Sequence, residues 1–137
     1  MSQASWAGLV WPTDGVISSN YGYRIHPIYG GRRFHDGLDF AADCSVPIRA
    51  VADGVVIDQY RSSGYGKKVL VSHGYVNGRH MVSAYSHLSD YAVSTGASVS
   101  QGQAIGYVGS TGASTGCHLH FMLWVDGSLA NPRSYLS

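Results

Sequence analysis

The chain has 137 residues, of which 12% are charged, with a formal net charge of +1, 18 glycines and 10 tyrosines. That length suits one domain able to bury most of its apolar surface, and the sparse Lys and Arg do not make the clustered footprint of a nucleic-acid binder. All eight acidic residues are Asp and none is Glu, which excludes any mechanism built on a Glu base, including the helical zinc-protease signature with Glu between two His. Acid-base work then falls on the seven histidines.

Taken in chain order, Met1 to Pro12 has neither the basic region nor the apolar h-region of a signal peptide. No stretch approaches the roughly 18 uninterrupted apolar residues of a membrane helix. Residues 1–10 are expected to be a leader or linker and 11–137 a single domain without internal repeats. The stretch from Tyr21 to Gly37, with Gly22, Pro27, Gly30 and Gly31, reads as a surface loop. It runs into Phe34-His35-Asp36-Gly37-Leu38-Asp39, where His35 and Asp39 offer an imidazole and a carboxylate that both suit a borderline-soft cation.

Short β-favouring runs follow at Val55–Ile57, Val69–Val71, Met81–Tyr85, Ile105–Val108 and Leu119–Val125, punctuated by Gly, Ser, Asn and Asp. With no clean 3.6 period, they predict an all-β, antiparallel sheet domain with little helix and a groove formed by surrounding loops. After Met81–Tyr85, strand parity puts His87 on the face of Met81, Ser83 and Tyr85. Ser110–Gly116, which holds Ser-Thr-Gly twice, reads as a second loop, and Asn131 to Leu136 as one closing turn.

Cys117-His118-Leu119-His120-Phe121-Met122-Leu123-Trp124-Val125 is the most informative segment. Alternation puts Leu119, Phe121, Leu123 and Val125 on a core face and sends His118 and His120 together to the other. Same-face neighbours lie about 7 Å apart, so a metal on one imidazole leaves the other within reach of a bound water or substrate. Taken alone, one or both are better read as histidines of a solvated face.

His35 with Asp39, Tyr85-Ser86-His87-Leu88-Ser89 and Gly116-Cys117-His118-Leu119-His120-Phe121 together resemble the lysostaphin-type (LytM-like) zinc metallopeptidases. The likeness continues through Ser19–Arg24, His26-Pro27, Ala52–Val56, Gly106–Gly116 and Asn131-Pro132, and so spans roughly Trp11 to Leu136. It implies one Zn2+ ion held by His35, Asp39 and His120, with a fourth position left for a water whose pKa falls from 15.7 toward about 7. It also implies His87 and His118 as catalysts that act on that water, protonate the departing amine and hold the oxyanion. Departures are Ser86, where the family usually has Ala, and Met122, where an acidic residue is common. His73 reads as structural or as support behind a ligand, His26 and His80 as surface residues. Tyr21, Tyr23, Tyr85 and Tyr107 either line a groove or pack.

If the three ligands converge, Cys44 and Cys117 enter one neighbourhood. Parity takes Cys117 off the histidine face, which leaves a disulfide or two buried free thiols as the alternatives. The resemblance implies a monomeric endopeptidase that acts on peptidoglycan peptides, outside the cytoplasm or delivered by phage, with no export signal in this chain and no nucleic-acid or membrane partner. The alternative is a non-catalytic relative that binds wall material or activates another hydrolase. Such a relative would be expected to lack zinc ligands. Glycine bridges and D-alanyl-diaminopimelate links are both open as substrates.

Overall fold

In the computed structural model, residues 8–25 and 30–137 are described; His26 and Pro27 lie outside them. Twelve strands follow in order: β1 (Val16–Ser19), β2 (Gly22–Ile25), β3 (Arg32–His35), β4 (Leu38–Ala41), β5 (Pro47–Arg49) and β6 (Gly54–Ser62). Then come β7 (Gly66–Val76), β8 (Arg79–Tyr91), β9 (Ser98–Val99), β10 (Ala104–Val108), β11 (His118–Val125) and β12 (Ser128–Ala130). All the expected runs fall within β6, β7, β8, β10 and β11. The described residues hold no α-helix, and the closing turn is a 3-10 turn at Pro132–Ser134, capped by the Asn131 side chain.

The main sheet runs β1-β4-β11-β8-β7-β6-β9, with β12 beside β11 and β10 joining β5 to β8. Its pairings are antiparallel. Alternation works as expected on β11: Leu119, Phe121 and Leu123 are fully buried and Val125 nearly so. Across the β4 pairing, Leu38 faces Phe121 and Phe40 faces Leu119, so these also enter the core, while Asp39 stands opposite His120 on the other face. Each such buried side chain contributes about 1.5–3 kcal/mol, which fixes the register. A slip of one residue would exchange the faces.

One expectation is corrected here, and the alternatives left open for Tyr85 are resolved. The Tyr21–Gly37 stretch is not simply a loop, because β2 and β3 pair within it, Gly22 opposite His35 and Ile25 opposite Arg32. Its Gly and Pro content concealed exposed strands whose tip is a turn. Tyr85 lines no groove, being fully buried in the core. Packing also extends ahead of Trp11: Leu9 is wholly buried and bridges to Leu136. The Ser110–Gly116 stretch carries no strand, as expected.

Candidate metal centre

The central β4-β11-β8 register builds the site. His120 on β11 lies opposite Asp39 on one side and Ser86 on the other. His35, the last residue of β3, is brought in from the separate hairpin. The outcome is a cluster in which one donor atom from each of His35, Asp39 and His120 lies within 4.8 Å of the others. In detail, His35 Nε2 is 3.2 Å from Asp39 Oδ2, and His120 Nδ1 is 2.7 Å from Asp39 Oδ1.

Each imidazole in the cluster is oriented through its other nitrogen. His35 donates Nδ1–H to the Asn20 carbonyl at 2.8 Å, which leaves Nε2 facing Asp39. His120 Nε2 is 2.7 Å from Asp36 Oδ1, so a proton there is given to Asp36 and the Nδ1 lone pair is left for a cation. Asp36 is in turn held at Oδ2 by the Tyr65 hydroxyl, 2.5 Å away, and the Tyr65 ring lies over His120 with centroids 5.8 Å apart. Gly37 is needed here for its missing side chain. A Cβ would sit 2.5 Å from the Phe121 carbonyl and 2.8 Å from the His120 ring.

Charge follows this geometry. The bond to Asp39 raises the His35 pKa above its ordinary value, against the effect of burial. For Asp39, burial works to raise the pKa, but the bonds to His120 and His35 outweigh it and hold the carboxyl well below the usual range. Asp36 behaves similarly, burial being outweighed by Tyr65 and His120. Burial, then Asp36, pushes the Tyr65 phenol up to about 12. Two ionised carboxylates thus flank His120, an arrangement that favours a cation between Asp39 and the two rings.

His87 and His118 join the same cluster, their rings 4.6 Å apart, with His87 6.1 Å from His120. This corrects the parity reading of His87. Tyr85 belongs to the core face, Ser86 lies opposite His120 on the site face, and Leu88 is buried in the core. His87 sits between them with φ of +69°, and the β7–β8 register slips between Tyr85 and Leu88. This bulge sets His87 beside Ser86 on the site face. It is fixed by His87 N–H donating to the Tyr65 carbonyl and Nδ1–H to that of Thr111, at 2.8 and 2.6 Å. His118 donates Nδ1–H to the Gly116 carbonyl at 3.0 Å. Ser86 Oγ is buried with no hydrogen-bond partner.

His73 lies elsewhere, bonded to the Asp53 carbonyl and to Ser83 Oγ at 2.8 and 2.7 Å, and His80 packs edge-on against Tyr75. Both stay outside the cluster. Cys44 and Cys117 form a disulfide, so the two-thiol alternative falls. Asp36 and Tyr65 are the participants that sequence reasoning passed over. The one local sign was a second carboxylate beside His35.

The profile of Peptidase family M23 matches residues 33–132. The DD-carboxypeptidase/endopeptidase Mpg of Neisseria meningitidis is 46% identical over 118 residues, 86% of this chain and 26% of that protein. The peptidoglycan DD-endopeptidase ShyC of Vibrio cholerae is 39% identical over 119 residues, 86% of this chain and 27% of its own. The chain therefore spans about a quarter of the length of these curated relatives. Among solved structures, a zinc-containing peptidase from Vibrio cholerae superposes with a TM-score of 0.81 at 31% identity, covering 90% of this chain and 39% of that one. The lysostaphin catalytic domain of Staphylococcus simulans gives 0.74 at 32% identity, covering 88% and 91%. A matched profile over most of the chain, with a shared fold and a His-Asp-His cluster at its centre, establishes that this chain belongs to peptidase family M23.

Proposed function

We propose that this domain is a zinc-dependent endopeptidase that hydrolyses peptide cross-links or bridges of bacterial peptidoglycan outside the cytoplasm. It acts as a monomer, residues 11–137 together with the packed Leu9 ahead of them forming one peptidase unit, with one Zn2+ ion held by His35, Asp39 and His120. The observation that carries this reading is the convergence of those three donors within 4.8 Å beside two further imidazoles. The donor set suits zinc: two imidazoles and a carboxylate, each imidazole fixed from behind by a carbonyl or carboxylate. Bound there, zinc would supply Lewis acidity, lowering the pKa of water and polarising a carbonyl. Relatives named as peptidoglycan endopeptidases support the substrate class.

His87 and His118 are assigned the proton transfers. Each gives Nδ1–H to a carbonyl, so in the neutral ring Nε2 carries the lone pair. Burial, reinforced by the neighbouring His118 and His120 rings, holds the His87 pKa below the ordinary histidine value. It is therefore neutral near pH 7 and able to accept a proton. The proton that His87 takes from water at Nε2 is delivered through His118 to the departing amine, and while Nε2 is protonated the pair donate to the developing oxyanion.

Digesting purified peptidoglycan and identifying the new termini by mass spectrometry tests the activity. His120→Ala should lose both zinc and wall lysis. His118→Ala should keep zinc yet lose activity by about 10²–10⁴-fold. Full lysis by His118→Ala would overturn its role.

A further inference from the structure

The β2–β3 hairpin that delivers His35 also carries arginines whose charge nothing nearby neutralises. Its register sets Gly22 opposite His35 and Arg24 opposite Arg33. Residues directly opposite share a face, and so do residues two apart along a strand. Arg24, Arg33 and His35 therefore project from one face of the hairpin, with Arg33 one side-chain step, about 7 Å, from the ligand. Arg32 is on the other face, its guanidinium 4.4 Å from the Tyr23 ring centroid, where Tyr21, Tyr23 and Phe34 pack together.

Both Arg24 and Arg33 are exposed. Among the described residues the one arginine paired with a carboxylate is Arg49, with Asp14. The carboxylates of the adjoining cluster, Asp36 and Asp39, are engaged by histidines and Tyr65. Like charges directly opposite on paired strands are destabilising, and here they stand at the rim of the metal centre. Arg24 is steadied by donating from Nη1 to Ser19 Oγ. Arg133 adds a third guanidinium, bonded to the side chain of Asn20, the residue whose carbonyl orients His35.

We infer that Arg24 and Arg33 form a carboxylate-binding subsite beside the metal centre. It selects cross-links whose scissile amide has a free carboxylate on the adjacent carbon, as in D-alanyl-diaminopimelate, over uncharged glycine bridges. A guanidinium pair binds such a group through charge-assisted, bidentate hydrogen bonds, and the bound anion relieves the Arg24–Arg33 repulsion. This inference rests on the endopeptidase reading above and deepens it.

The test uses zinc-loaded protein and three peptides: a D-alanyl-diaminopimelyl peptide with the carboxylate next to the scissile nitrogen free, the same peptide with that group as a carboxamide, and pentaglycine. The free acid should exceed the amide in kcat/KM by about 10- to 100-fold, chiefly through KM, as expected for charge-assisted bonds. In the R24Q/R33Q variant the acid-to-amide ratio should collapse toward one, and in R24K/R33K part of it should remain. The released diaminopimelyl product should also bind zinc-free R24Q/R33Q about tenfold more weakly in calorimetry. Equal cleavage of acid and amide by the parent protein, a ratio that survives R24Q/R33Q, or cleavage of pentaglycine alone would overturn the subsite. Failure to cut any of the three would overturn the endopeptidase reading itself, and the subsite with it.

Discussion

At the scale of single residues, the proposed ligand set depends on what stands behind it. Asp36 bonds the far nitrogen of His120 and is itself bonded by Tyr65. Replacing a carboxylate in that position removes negative charge that makes the imidazole a better donor. Asp36→Asn keeps an acceptor for His120 but loses the charge. It should weaken zinc binding about 10- to 100-fold in a chelator competition; unchanged affinity would show that Asp36 only packs. His118 and His120 were legible as a pair because alternation is local and Leu119, Phe121 and Leu123 declare the core face. Asp36 was not, since its partner lies 84 residues away and no period connects them.

At the scale of elements, the site is the meeting of β4, β11 and the bulged end of β8. Local reading failed at β8, because the left-handed backbone of His87 is imposed by carbonyls of Tyr65 and Thr111 on other segments. It also failed on β2 and β3, whose exposed residues show no buried face to alternate against. The disulfide joins the segment after β4 to the residue before β11, closing a separation of 73 residues. A constraint of that span stabilises by about 2–4 kcal/mol, chiefly through the unfolded chain. Cys44→Ser/Cys117→Ser should lose that amount in urea denaturation, and a variant as stable as the parent would contradict it.

At the scale of the whole molecule, stability should depend on pH through His73, which lies outside the metal centre. Burial holds its folded pKa below the ordinary 6.5, while Nδ1 donates to Asp53 and Nε2 meets Ser83 Oγ, itself 2.7 Å from the Tyr85 hydroxyl. The unfolded chain thus binds the proton more readily. The His73 contribution is complete above about pH 6.5 and is lost as pH falls from there toward the lower folded value. Denaturation midpoints of the parent should fall more steeply than those of His73→Gln across that window; parallel curves would sink the assignment. The pairing of His120 with Asp39 across 81 residues carries a consequence in time. In an unfolded chain the proposed donors are divided, His35 and Asp39 lying close in sequence and His120 lying 81 residues beyond Asp39. The third donor arrives with the β4–β11 pairing, a late event when chain ends must first find each other. An ion held by all three donors would thus lock the finished domain rather than seed it, and a ribosome must release most of this chain before the cluster exists at all.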